Sequence, residues 1–139
     1  MWMAEGTAET TASPAQVWEL WEDPTRWEDW NPGINSGELE GPFAVGSVAI
    51  IDPKGFTKLR FCFVEIDPGR LLVSEARLPG GRLRHDHLVE RDDGGGARIL
   101  NRMTISGPLG WAWALAFGRR LRREVKDYAR LEKELAEAA

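Results

Sequence analysis

Cysteine is nearly absent. Cys62 is the only one in 139 residues, so no disulfide forms within the chain and no cysteine-rich metal site is available. Stability must come from a core, and a single domain of this length buries roughly two thirds of its unfolded surface without staples. Histidine is almost as scarce, with two residues, and tyrosine has one. Imidazole chemistry therefore has to pass through His85 or His87. Positive charge is in deficit: the formal net charge is −4, which removes the global field that draws proteins to nucleic acid or anionic membrane. Long apolar runs are missing too, since the longest, Leu109 to Phe117, is far too short to span a bilayer. Met1 to Glu5 lacks the basic start and apolar stretch of a secretion signal. A cytoplasmic protein with no nucleic-acid partner and no membrane insertion is expected. Gly94–Gly96 lacks the Lys and Ser/Thr of a phosphate loop and reads as a hairpin, and no Gly-x-Ser-x-Gly nucleophile elbow is present.

Tryptophan, by contrast, is plentiful, with seven residues. Trp18, Trp21, Trp27 and Trp30 fall between Ser13 and Pro32. Ser13 suits an N-cap and Pro14 the first helical position, so a helix begins there. Val17, Leu20 and Trp21 share its buried face, with Trp18 to the side. Pro24 stops it, and a second short turn sets Trp27 and Trp30 three apart. A platform for stacking bases would interleave Lys and Arg, yet Arg26 stands alone. These aromatics read as core.

Beyond them the chain reads as strands parted by turn residues. A first strand is expected over Glu5–Thr11, then short ones near Glu38–Glu40 and Val45–Ile51. Longer strands follow at Phe56–Ile66, Leu71–Arg77, Arg82–Arg91 and Ala97–Ser106. Gly107-Pro108 opens a helix to about Glu137, with Leu121, Val125, Tyr128, Leu131 and Leu135 as its apolar stripe. Arg120 with Glu124, Arg123 with Asp127 and Arg130 with Glu134 are spaced to pair along a solvated face, to which the acidic residues Glu132, Glu134 and Glu137 also fall. The apolar first third of that helix, with Trp111, Trp113, Leu115 and Phe117, is expected to be buried on more than one side. Runs of strands closed by a helix imply an α+β domain with an antiparallel sheet.

The segments Pro14-Ala-Gln-Val-Trp18, Asp23-Pro-Thr-Arg-Trp27 and Trp30-Asn-Pro32, with Glu65-Ile-Asp-Pro68 and Ser106-Gly-Pro-Leu109 before the last helix, resemble the START-like (SRPBCC) superfamily. Within it the chain is most similar to the polyketide cyclase/dehydrase and lipid-transport group. The resemblance implies a helix-grip fold over residues 1–139: a curved sheet of six or seven strands around the C-terminal helix, two short helices plugging one end, and an apolar cavity between. The implied partner is a small hydrophobic or aromatic ligand, such as a lipid or polyketide, and fold alone does not name it.

His85 and His87, two apart, share a strand face with Leu83 and Val89, which makes that face inward. A metal is not expected, since nothing marks a third ligand, and no cofactor is implied. A histidine at this place also resembles the strand of many relatives, and that position maps to His87. His87 is therefore the candidate acid/base, with Asn101 as its oxyanion partner or mere hydrogen-bond partner. Met103, on the Asn101 face, stands where relatives often carry an ionisable group, which favours binding over catalysis. Ser74 and Ala76 are small and leave space beside Phe61 and Phe63, and Trp111 and Leu115 are expected to complete the wall. Three readings remain: a binding protein, a cyclase, aromatase or dehydratase using His87, and a protein-interaction or co-chaperone-like module. A homodimer is left open, and a slip of register by one residue would exchange the inward and outward rows.

Overall fold

Side chains that alternate between faces give every strand an inner and an outer side, and seven strands use this to enclose one helix. In the computed structural model, which describes residues 1–139, β1 (Trp2–Thr10) leads to α1 (Pro14–Trp21) and a 3-10 helix (Pro24–Asp29). Then come β2 (Ile34–Glu40), β3 (Val48–Pro53), β4 (Leu59–Asp67), β5 (Leu71–Leu78), β6 (Gly81–Arg91), β7 (Ala97–Ser106) and α2 (Gly110–Ala138). Neighbours are antiparallel in the order β1-β7-β6-β5-β4-β3-β2. Strands β2 to β7 form a meander and β1 returns along β7. This is the helix-grip architecture the sequence implied. No helix is long and apolar enough to cross a membrane.

Local chemistry sets the elements. Ser13 and Gln16 form a reciprocal cap, the Ser13 N–H donating to Gln16 Oε1 at 2.8 Å and the Gln16 N–H donating to Ser13 Oγ at 3.3 Å. Asp23 caps the 3-10 helix by accepting the Thr25 N–H at 3.0 Å. Gly6 lies on the inner face of β1, where a Cβ would run into the Val125 carbonyl. Its absence lets α2 press directly on the strand.

Several expectations needed correction. β2 begins at Ile34 because its register with β3 extends to Pro53, past an irregularity between Ile34 and Ser36. β1 begins at Trp2 and β4 at Leu59. Trp18 is buried with Trp21, Trp27 and Trp30, since Phe43 covers the side left open in the bare helix. Asp127 pairs with Arg130 at 3.2 Å, not with Arg123. The largest difference is the rotation of α2. Its fully buried row is Val125, Tyr128, Ala129, Glu132 and Ala136, while Leu131 and Leu135 are half-buried at its flank.

Candidate functional site

Inward rows of the sheet meet α2 over an apolar cavity of about 110 Å3. Ile34, Ile51, Phe61, Leu83, Met103 and Ile105 line it from the sheet, Trp27 and Trp30 from the end plug, and Trp113, Phe117 and Leu121 from α2. Half-buried Phe56, Trp113 and Phe117 form an aromatic mouth, with ring centroids 5.4 to 6.0 Å apart. The Trp113 Nε1–H donates to the Pro79 carbonyl at 2.8 Å, which fixes the start of α2 against the β5–β6 turn.

Polar groups in the wall are few and mostly engaged with one another. The Arg120 Nε–H donates to Glu124 Oε1 at 2.7 Å, and the Tyr128 hydroxyl donates to Glu124 Oε2 at 3.2 Å. Burial, then the adjacent Glu124, hold the Tyr128 phenol well above its ordinary pKa. His85 lies on the wall opposite Ser74 in the β5–β6 register.

Behind His85 runs a chain of buried groups. His85 Nε2 is 2.8 Å from Asn101 Oδ1, the Asn101 Nδ2–H donates to Glu132 Oε1 at 2.6 Å, and the Trp21 Nε1–H donates to Glu132 Oε2 at 2.7 Å. With the amide in this orientation the Asn101 oxygen accepts, so the Nε2 proton belongs to His85 and Nδ1 is left as a bare acceptor. Burial lowers the His85 pKa to about 4 against smaller opposing contributions from Asn101 and Asp86. Burial also raises Glu132 to about 8, although the hydrogen bonds from Asn101 and Trp21 oppose the rise.

Of the residues expected at the site, Phe61, Ser74, His85 and Met103 line the cavity. Phe63 and Ala76 face inward but are consumed by packing, Phe63 against Trp27 and Phe43. His87 stands apart from the wall. Its ring stacks on His85 at 3.7 Å and is covered by Trp21, Trp27 and Trp30 at 5.1 to 5.9 Å. Neither of its nitrogens has an aligned hydrogen-bond partner. Burial, then His85, hold it neutral, with weak opposition from the Leu72 backbone. Asn101 is opposite His87 in register, yet its amide reaches diagonally to His85, because Glu132 draws its other end toward α2. Trp111 and Leu115 are 69% and 82% exposed; the helix phase that buries Val125 and Tyr128 puts Trp113 and Phe117 on the cavity instead.

Glu132, expected on a solvated acidic face, is wholly buried. The signal for it was present in the sequence: Val125, Tyr128, Glu132 and Ala136 step by three or four, a row in which the carboxyl is the odd member. No group of three or more His, Cys, Asp or Glu side chains is placed to hold a metal.

The family model described as polyketide cyclase/dehydrase and lipid transport matches residues 1–135. Among solved structures, a hypothetical protein from Helicobacter pylori is similar at a TM-score of 0.78 and 14% identity, over 96% of this chain and 87% of that one. The di-domain ARO/CYC StfQ from the steffimycin biosynthetic pathway is similar at 0.79 and 14%, over 98% of this chain and 50% of that one. A norcoclaurine synthase point mutant from Thalictrum flavum, in complex with a transition-state analogue, is similar at 0.71 and 14%, over 99% and 94%. No curated protein matches the sequence. With the helix-grip fold, the sheet-helix cavity and a family match over residues 1–135, the chain belongs to the polyketide cyclase/dehydrase and lipid-transport family.

Proposed function

We propose that the protein binds a compound built on a single aromatic ring, or an apolar molecule of like size, between sheet and α2. The observation that carries this reading is the apolar wall around few polar groups, among them Ser74 and His85, whose Nδ1 makes no hydrogen bond. Burying a ring there removes apolar surface from water on both sides, and one placed polar atom supplies orientation. Volume limits the ligand: the space of about 110 Å3 is below the roughly 150 Å3 of an engineered apolar cavity that takes benzene. The interior therefore takes at most a single ring, and substituents lie among Phe56, Trp113 and Phe117 at the mouth.

A catalytic reading has one observation in its favour, the support of His85 by Asn101 and Glu132. Its weakness is basicity. An imidazole whose pKa is near 4 is a weak base at neutral pH, whereas general bases work best with a pKa near the operating pH. The family description joins cyclase and dehydrase activity with lipid transport and leaves both readings standing; the low basicity of His85 favours binding.

Native mass spectrometry of the protein from its own host, followed by calorimetry with phenol and acetophenone, tests this. Saturable binding that Met103→Trp reduces at least tenfold is expected. Absence of both an adduct and saturable binding overturns it. Turnover of a bound carbonyl compound that disappears in a folded His85→Ala variant would instead establish the enzyme.

A further inference from the structure

The Asn101 amide is nearly symmetric in shape: a half-turn about its Cβ–Cγ bond exchanges oxygen and nitrogen while leaving their positions in place. Its two ends touch His85 at 2.8 Å and Glu132 at 2.6 Å. Each orientation of the amide satisfies every group in the chain, provided the carboxyl and the imidazole change with it.

With Glu132 ionised, Oε1 accepts the Asn101 N–H, Asn101 Oδ1 accepts the His85 Nε2–H, and His85 Nδ1 turns a lone pair to the cavity. With Glu132 protonated on Oε1, that O–H donates to Asn101 Oδ1, the Asn101 N–H donates to a bare His85 Nε2, and Nδ1 carries the proton. The Trp21 Nε1–H donates to Glu132 Oε2 at 2.7 Å, which suits a carboxylate oxygen and the carbonyl oxygen of a carboxylic acid alike. Passing from the first state to the second adds one proton in all, to Glu132; the imidazole keeps a single proton and changes the nitrogen that bears it.

We propose that Glu132, through a half-turn of the Asn101 amide, sets which nitrogen of His85 is protonated and so whether the cavity offers its ligand an acceptor or a donor. Glu132 is a positioning residue here, since it never touches the cavity. The surroundings leave this chain as the means by which its charge is felt. From β6 the titratable neighbours are His85 and His87, both held neutral. From α1 and β7 the partners Trp21 and Asn101 carry no charge. β1 turns Ala4, Gly6, Ala8 and Thr10 toward α2, while its Glu5 and Glu9 lie outside, paired with Arg102 and Arg98. Tyr128, one turn earlier on α2, stacks on His85 with centroids 5.6 Å apart and stays neutral. With its pKa raised to about 8, Glu132 changes state within the range where proteins work.

The ligand classes follow, and this step rests on the cavity-binding reading. A phenol or another hydroxyl donor selects ionised Glu132 and releases a proton on binding at neutral pH. A ketone, aldehyde or quinone selects protonated Glu132. A ligand that needs one state has its apparent affinity scaled by the population of that state.

The first measurement needs no ligand. Long-range 1H–15N spectra of the two imidazoles, recorded between pH 6 and 9, are expected to show His85 passing from the Nδ1–H to the Nε2–H tautomer near pH 8. Glu132→Gln, which can donate or accept through the same atoms, is expected to abolish that pH dependence. Calorimetry is then expected to show phenol affinity rising about fifty-fold from pH 6 to pH 8, and acetophenone affinity falling about tenfold from pH 7 to pH 9, with both profiles flat in Glu132→Gln. One His85 tautomer throughout, or the same pH trend for both compounds, overturns the proposal. If the tautomer changes but neither compound binds at any pH, the cavity-binding reading fails while the relay stands; if both bind with a fixed tautomer, the relay fails and binding stands.

Discussion

The carboxyl of Glu132 on α2 accepts a 2.6 Å hydrogen bond from the amide of Asn101 on β7, at a point where both side chains are shut off from water. The contact is a buried polar link that ties the helix to the sheet behind the cavity. Removing its helix side strands the Trp21 donor and the end of the Asn101 amide that meets the carboxyl, and leaves a void. Glu132→Ala is expected to cost about 3 to 5 kcal/mol, the sum of unsatisfied buried polar groups and an unfilled cavity. Urea unfolding at pH 6.5 measures it, and a loss under about 1 kcal/mol would contradict the assignment.

Stability should peak near pH 6.5. Glu132 keeps its proton to about pH 8 in the folded protein but loses it near the ordinary glutamate value of 4.5 when unfolded. Its contribution is thus full below 4.5 and is lost as pH rises toward 8, at up to about 1.4 kcal/mol per pH unit. His85 runs the other way: with a folded pKa near 4 and an ordinary value of 6.5, its contribution is full above 6.5 and lost as pH falls toward 4. His87 adds in the same direction. Between 4.5 and 6.5 the two histidines outweigh the carboxyl. Chemical denaturation at pH 5, 6.5 and 8 is expected to give a maximum at the middle value, and Glu132→Gln to remove the fall between 6.5 and 8.

His87→Leu should stabilise the protein. Its neutral ring lies among Trp21, Trp27 and Trp30 with neither nitrogen in an aligned hydrogen bond, so an apolar side chain of similar volume removes a desolvation cost of about 1 to 3 kcal/mol. A raised thermal midpoint with unchanged phenol affinity is the expected result. Loss of binding in a stable His87→Leu protein would return that residue to the site.

The two faces of α2 separate by mutation. Trp113→Ala opens the wall and frees the Pro79 carbonyl, and is expected to weaken binding of a single-ring ligand about tenfold or more, an order-of-magnitude loss for a large wall group. Trp111→Ser and Leu115→Ser, on the exposed side, should leave it within about twofold, since surface changes away from a site are nearly neutral. Titration of the three variants with acetophenone checks the contrast.

Gly6→Ala is expected to cost roughly 2 to 3 kcal/mol by pushing α2 off β1, where a Cβ meets the Val125 backbone. Gly94→Ala, whose Cβ would meet only Asp92 Oδ1 at 3.4 Å, serves as the near-neutral control in the same thermal melts.

What the sequence by itself determined is what depends on nearest neighbours along the chain. Ser13 with Gln16, Pro14 and Pro24 set the bounds of α1. Two-residue alternation put Phe61, Ser74, His85, Asn101 and Met103 on inward rows, and the order of strands and helix followed from turn residues. Tertiary structure decided what depends on how those rows lie across one another. The phase of α2 turned on Gly6, which admits close approach, and on Trp113, which is pinned to Pro79. That rotation took Glu132 from the solvated face to the interior and left Trp111 and Leu115 outside. It also reversed the roles of the histidines: both face inward on β6, but the Trp21, Trp27 and Trp30 plug covers His87, while His85, one pleat nearer the open end, meets the cavity and takes the Asn101 amide. A burial pattern within one strand is a local property; which of two inward residues reaches empty space is settled by side chains from elements more than forty positions away in the chain, and no spacing along β6 records it.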